Sequence, residues 1–348
     1  MTDSAPGRRR TIRATFAITA LILVIGLFFS LRFGAWEIPF AEIVRVLAAK
    51  LFGLGAGLDS ATEAIIWHGR LPRTLTGALV GFALGCAGAI MQGLFRNPMA
   101  SPGVIGTSSG AALGAVTAIY FGFSSISIHA VPAAAVLFAF LSMVVVLLIA
   151  TTGGLTARYT LLLAGIAFNA IFGALTSLLI MLSTDEFAMT HRIVGWLMGD
   201  LTNRSWEHVR IVLPIVVVGT LAARIHAREL NLLMLSEDTA SNLGVAVVRI
   251  RITLLLIAAM LTGGAIAVAG TIGFVGLIAP HIMRRLVGSD HRPLIPAAGM
   301  LGALMVLLAD CVVRLGGGGL RIGVLTALLG GPFFLFLILR DRKKFVSF

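Results

Sequence analysis

Asp310 and Arg314 stand four residues apart in "LADCVVRL", inside a long apolar stretch. A carboxylate at membrane depth is what an ion-coupled transporter uses as a relay. The same spacing also makes a helix-surface ion pair. Asp310 falls near the end of its stretch, which favours the pair. Other reactive chemistry is sparse. The chain has no G-x-x-x-x-G-K-[ST] phosphate loop, no H-E-x-x-H metal helix and no nucleophile elbow. Its seven His residues are scattered; His281 and His291 share a region without ligand spacing. Cys86 and Cys311 are alone in separate apolar segments, so neither a disulfide framework nor a metal pair follows. Without a catalytic set, a relay or a nucleotide site, a transporter built on this chain must take its energy from another subunit.

One polar cluster interrupts the apolar text. In "LNLLMLSEDTASNLGVAVVRIR", residues 230–251, seven polar or small residues run from Ser236 to Asn242. Ser236 can cap a helix, and Glu237 and Asp238 suit its positive N-terminus. Ser241 and Asn242 continue the polar run, and Gly244 can end it.

The elements that position these residues follow from composition. Of 348 residues, 58% are hydrophobic and 12% charged, more apolar surface than a soluble fold of this length can cover. Stretches near the ~20 residues that cross a bilayer recur at roughly 14–33, 71–94, 104–123, 131–152, 159–182, 207–226, 251–270, 272–288, 293–312 and 322–339. The expected class is therefore all-α, a polytopic integral membrane protein of about ten helices. The net charge of +12 reads as basic loops at a membrane surface rather than as nucleic-acid binding. Arg8, Arg9, Arg10 and Arg13 precede a first apolar run that is too long for a signal peptide and lacks a cleavage pattern. With both termini in the cytoplasm, inner segments hold 17 of the 27 Lys and Arg residues, in line with the positive-inside bias.

This gives a basic tail over 1–13, one membrane domain over 14–340 and a second tail over 341–348. An inner polar segment covers 227–249 and an outer one 183–206. "FGAWEIPFAEIVRVLAAKLFG" is amphipathic and should lie along the interface. The outer segment, with two Trp residues at boundary positions, should hold a short helix over the outer mouth. Gly77, Gly81 and Gly85, and again Gly106, Gly110 and Gly114, repeat every four residues. That spacing lets helix backbones pack closely.

Three long stretches carry a family resemblance: "GRLPRTLTGALVGFALGCAGAIMQGLFRNPMASPGVIGTSSGAALGA" (69–115), "GTIGFVGLIAPHIMRRLVGSDHRPLIPAAGMLGALMVLLADCVVRL" (270–315) and "IGVLTALLGGPFFLFLIL" (322–339). Together they resemble the FecCD-type permeases, the membrane subunits of ABC importers for ferric siderophores, haem and cobalamin. The resemblance implies ten helices per subunit in the inner membrane and a homodimer or pseudo-dimer with the path at its interface. It also implies two cytoplasmic ATPase subunits, which would hold ATP and Mg, and a substrate-binding protein docking outside. It implies no cofactor on this chain. Ser236, Glu237, Asp238, Ser241, Asn242 and Gly244 would form the element inserted into the ATPase. Arg70 and Arg73 in "GRLPR" and Arg314 would receive glutamates of the binding protein, whereas Arg204 and Arg210 lie outside but match no docking motif. The inner gate would map onto Asn97, Met99, Arg158 and Tyr159, the last two departing from the small hydroxyl residues of the cobalamin permease. The implied cargo is haem or a ferric siderophore, with cobalamin as the alternative. From other classes, an ion-coupled secondary transporter and a membrane enzyme remain open on sequence.

Overall fold

The structure, a computed structural model, describes residues 6–34, 37–53, 59–152, 155–156, 158–184, 186–317 and 319–345. Long apolar runs fold as α1 (Pro6–Arg32), α4 (Leu71–Leu94), α5 (Thr107–Tyr120), α7 (Ala130–Ala150), α8 (Arg158–Leu182), α10 (Trp206–Ile225), α13 (Val247–Ala269), α14 (Val275–Val287), α15 (His291–Leu315) and α16 (Ile322–Phe345). Each expected span falls on one of these ten. Short helices fill the connections: α2 (Phe40–Phe52), α3 (Ser60–Ala64), α6 (Phe123–Ile126), α9 (Phe187–Leu197), α11 (Ala227–Leu235) and α12 (Glu237–Asn242). A two-residue antiparallel ladder, Thr151–Thr152 with Leu155–Thr156, joins α7 to α8.

Among the described residues, seven helices are long and apolar enough to cross a bilayer. Among the rest, α5 and α14 have only 14 and 13 residues, or roughly 20 Å at 1.5 Å per residue. A hydrocarbon core is ~30 Å thick, so irregular backbone must complete both spans, and that is tolerated only inside protein. Both helices are accordingly buried along most of their length. Two boundaries differ from the sequence reading. The described part of α1 already runs from Pro6, so Arg8–Arg13 is helical. α16 continues to Phe345, past the expected end at 340. Residues 1–5 and 346–348 of the two tails lie outside the described residues.

α4 is the spine. In its apolar window 78% of residues are buried, against 6% for α8. Small residues let α15 lie directly on it: a Cβ on Gly81 would sit 2.8 Å from Ala303 Cα, and one on Gly85 2.7 Å from the Ala298 carbonyl carbon. Gly77 faces the Leu201 side chain, and Gly110 and Gly114 face α7 at Phe138 and Ala134. Gly106 departs from the packing role expected of it. It lies between a 3-10 turn (Pro102–Ile105) and α5 with φ +85°, a left-handed conformation that glycine adopts without steric cost.

Candidate functional site

At one end of the bundle α1 stops at Arg32, leaving its last carbonyls without helical partners. Two arginines from distant helices take them. Arg314 Nη1 donates to the carbonyls of Ser30 at 2.7 Å and Phe33 at 2.8 Å. Arg70 Nη1 donates to those of Leu31 at 2.8 Å and Arg32 at 2.6 Å. Arg73 reaches Asp310 with Nη2 at 2.7 Å and Nε at 3.0 Å. Arg314 Nε lies 3.1 Å from the other carboxylate oxygen. Asp310 is fully buried. The expected Asp310–Arg314 pair is therefore present, extended by Arg73 into a triad. All three arginines assigned to docking by the resemblance have internal partners.

Arg70, Arg73, Arg204 and Arg314 also line one cavity of about 560 Å³ at this end. Sequence motifs did not single out Arg204. It is placed there by the turn after α9, where its Nη2 donates to the Asp200 carbonyl at 3.2 Å. Burial lowers the Arg204 pKa; the Asp200 carboxylate opposes this and the neighbouring Arg73 adds to it. Arg210 instead points outward to Glu207 at 2.7 Å. Asp200 also pairs with Arg321. Burial raises its pKa, but hydrogen bonds from the Thr202 hydroxyl and N–H outweigh that and hold it below the usual carboxylate range. Hydrogen bonds to carbonyls leave a guanidinium's charge uncompensated. Four guanidiniums, set against Asp310 and an Asp200 shared with Arg321, thus keep this mouth positive.

At the other end, α12 begins as the sequence implies. The Ser236 hydroxyl accepts from Thr239 N–H at 2.8 Å, and Gly244 follows the helix with φ +81°. Ala240 faces inward, fully buried. Asp238, Ser241 and Asn242 are exposed, flanked by the exposed Leu235 and Leu243. Glu237 does more than favour the helix N-terminus: it meets Arg251 of α13 at 2.7 Å. Arg251 is only 4% exposed, so α12 is bonded to a transmembrane helix by a largely buried cation.

Asn97 and Met99 form the turn after α4, where the Asn97 side chain accepts from Met99 N–H at 2.9 Å. Arg158 and Tyr159 open α8 at the same end of the bundle. Tyr159 is 83% exposed; the Arg158 side chain lies outside the described residues. Above them, the Asn169 side-chain amide of α8 donates to the carbonyls of Gly103 at 3.0 Å and Val104 at 3.2 Å. The 3-10 turn that follows Asn97 and Met99 is therefore joined to α8, a contact for which the sequence gives no signal.

The geometry is that of a helical membrane body with a positive mouth at one end and a capped polar helix at the other. The sequence matches the FecCD transport family over residues 22–340. The chain belongs to that family. Its relatives include the cobalamin import system permease protein BtuC of Halobacterium salinarum, 40% identical over 339 residues, covering 96% of this chain and 89% of that protein. The hemin transport system permease protein HmuU of Yersinia pestis is 40% identical over 296 residues, covering 82% and 87%. A solved inward-facing metal-chelate type ABC transporter superposes with a TM-score of 0.82 at 33% identity, over 94% of this chain and 99% of its own. The FecCD-family chain is thus a multi-pass ABC-transporter permease, a transport component with no catalytic activity of its own.

Proposed function

We propose that this FecCD-family chain is the permease subunit of a binding-protein-dependent importer that moves an iron chelate, haem or a ferric siderophore, across the inner membrane. Two copies form the path, two ATPase subunits drive it from the cytoplasm, and both termini lie on that side. The observation that carries the reading is α12, whose polar face is exposed while Glu237 ties it to α13. A surface helix held this way can pass a push from a motor into the membrane body. The ATPase subunits, which bind ATP and Mg, would seat on Asp238, Ser241, Asn242 and the flanking leucines. Glutamates of the binding protein would be drawn to the positive mouth formed by Arg70, Arg73, Arg314 and Arg204. Asn97, Met99, Arg158 and Tyr159 would form the inner gate. Cobalamin is the second reading, favoured by the 40% identity to a cobalamin permease. The ion-coupled alternative loses its relay, since Asp310 is engaged by two guanidiniums.

The experiment is uptake into vesicles holding the permease and ATPase, with the binding protein outside and ATP inside. Haem, a ferric hydroxamate and cobalamin are offered separately. ATP-dependent uptake of haem or the hydroxamate supports the reading. Uptake of cobalamin alone moves the assignment to that cargo, and uptake without ATP removes the ABC mechanism.

A further inference from the structure

The end of α4 contains a conformation that its sequence does not favour. Arg96 has φ +50°, one of three described non-glycine residues with positive φ. Asn97 N–H bonds the Gln92 carbonyl at 3.2 Å and Arg96 N–H the Gly93 carbonyl at 3.2 Å. These are the two bonds of a helix stop whose left-handed position is usually glycine. A non-glycine residue persists there when its surroundings hold it, and such outliers gather at switches.

The Arg96 side chain supplies the hold. Its Nε donates to the Leu233 carbonyl at 2.9 Å, and Nη2 reaches the same oxygen. Leu233 lies in the last turn of α11, three residues before the Ser236 cap of α12. On its other side α11 is clamped to the start of α15. The Asn231 amide donates to the Asp290 carboxylate at 2.6 Å, and His291 N–H donates to the Asn231 side-chain oxygen at 2.9 Å. So the helix leading into α12 has a polar fastening on each flank. One of them ends on the residue immediately before Asn97.

We infer that Arg96 is a strut through which α11 and α12 displace the Asn97–Met99 gate loop when the ATPase moves. This rests on the proposed function, and Arg96 is a positioning residue that touches no cargo. A strut needs a stiff joint and a directed arm. The left-handed backbone fixes the joint, and the planar guanidinium supplies two donors to one carbonyl.

The test uses the permease assembled with its ATPase in vesicles. Met99→Cys serves as a reporter for a membrane-impermeant maleimide, and ATP with vanadate as the nucleotide probe. The expected parent behaviour is a labelling rate that differs with and without nucleotide. Arg96→Gly suits the left-handed backbone, so its detergent melting temperature should stay near the parent's while the nucleotide-dependent difference is lost. Arg96→Lys keeps one charged donor without the fork and should retain part of the difference. A merely structural cap would show the reverse, a lowered melting temperature with an intact difference, and that result overturns the strut. So does a parent whose gate reporter ignores nucleotide while ATP is hydrolysed. If the ATPase neither binds the permease nor responds to it, the functional reading fails and the strut fails with it.

Discussion

Replacing Asp310 by Asn isolates the triad, because the change keeps the volume, removes the charge and turns one acceptor oxygen into an NH2 donor. The carboxylate is fully buried, with Arg73 at 2.7 Å and Arg314 at 3.1 Å. Removing one partner of a buried ion pair costs ~3–5 kcal/mol, because a buried charge is left uncompensated. Two features place this site near the lower bound. The Arg73 side chain is 17% exposed and can recover some hydration, and Arg314 retains the Ser30 and Phe33 carbonyls. The expected loss is therefore ~3 kcal/mol. If all of it falls on the unfolding step, the half-life at fixed temperature shortens by roughly 10²-fold. The assay is the decay of the monodisperse peak of detergent-solubilised protein held at one temperature. Adding Arg73→Gln to Asp310→Asn should cost less than the sum of the single changes, since each single change strands what the other removes. Additive effects, or a loss below ~1 kcal/mol, would refute the triad as a buried network. A stable Asp310→Asn protein that no longer transports would return Asp310 to the role of ion relay.

Three further outcomes follow from the packing and the surface. Gly85→Ala should lower stability by ~1–3 kcal/mol through overpacking against Ala298; Gly173→Ala on α8, with nothing within 4 Å, should be neutral or stabilising in the same melting assay. Ser236→Ala removes the α12 cap, worth ~1 kcal/mol, and should raise amide exchange over 237–242 while reducing ATP-driven uptake. Because the Asp200 pKa is held below the usual carboxylate range, its contribution to stability is present within and above that range and lost as pH falls below it. Asp200→Asn should remove this acid-sensitive part of the melting curve, and an unchanged acid dependence would show that other groups carry it.

What the sequence made legible was local. Helix positions follow from apolar runs bounded by Gly, Pro and charge, and the α12 cap follows from Ser236, Glu237 and Asp238 within one helical turn. The Gly81 and Gly85 contacts follow from a repeat of four along a single helix. The remaining features depend on partners far along the chain. Arg73 and Asp310 are 237 residues apart, and Arg96 and Leu233 are 137 apart, so no spacing rule connects them. Motif matching named Arg70, Arg73 and Arg314 as surface receptors yet could not show that α1 ends among them. It passed over Arg204, which a turn folds back into the same mouth. Gly106 sat within a packing repeat, but its position between a 3-10 turn and α5 gives it a conformational role. Arg96 is concealed more deeply, since an arginine in a glycine-type position has no signature in one sequence.

The fastening of α1 has a consequence for biogenesis. Its closing carbonyls are held by Arg70 and Arg314, and the Ser30 carbonyl lies 284 residues from its donor. α1 leaves the ribosome before the other described spans, yet one of its two clasps is on α15, which is made long after it. Until α15 enters the bilayer, α1 has only the Arg70 clasp and an outward face of Ile, Leu and Phe in lipid. The earliest helix is thus among the last to be seated, and nascent chains released before residue 314 should leave α1 open to protease or to cross-linking with insertion machinery. Chains carrying Arg314→Ala should extend that interval even when full length. Quality control of this permease would then read one clasp as the mark of a finished chain.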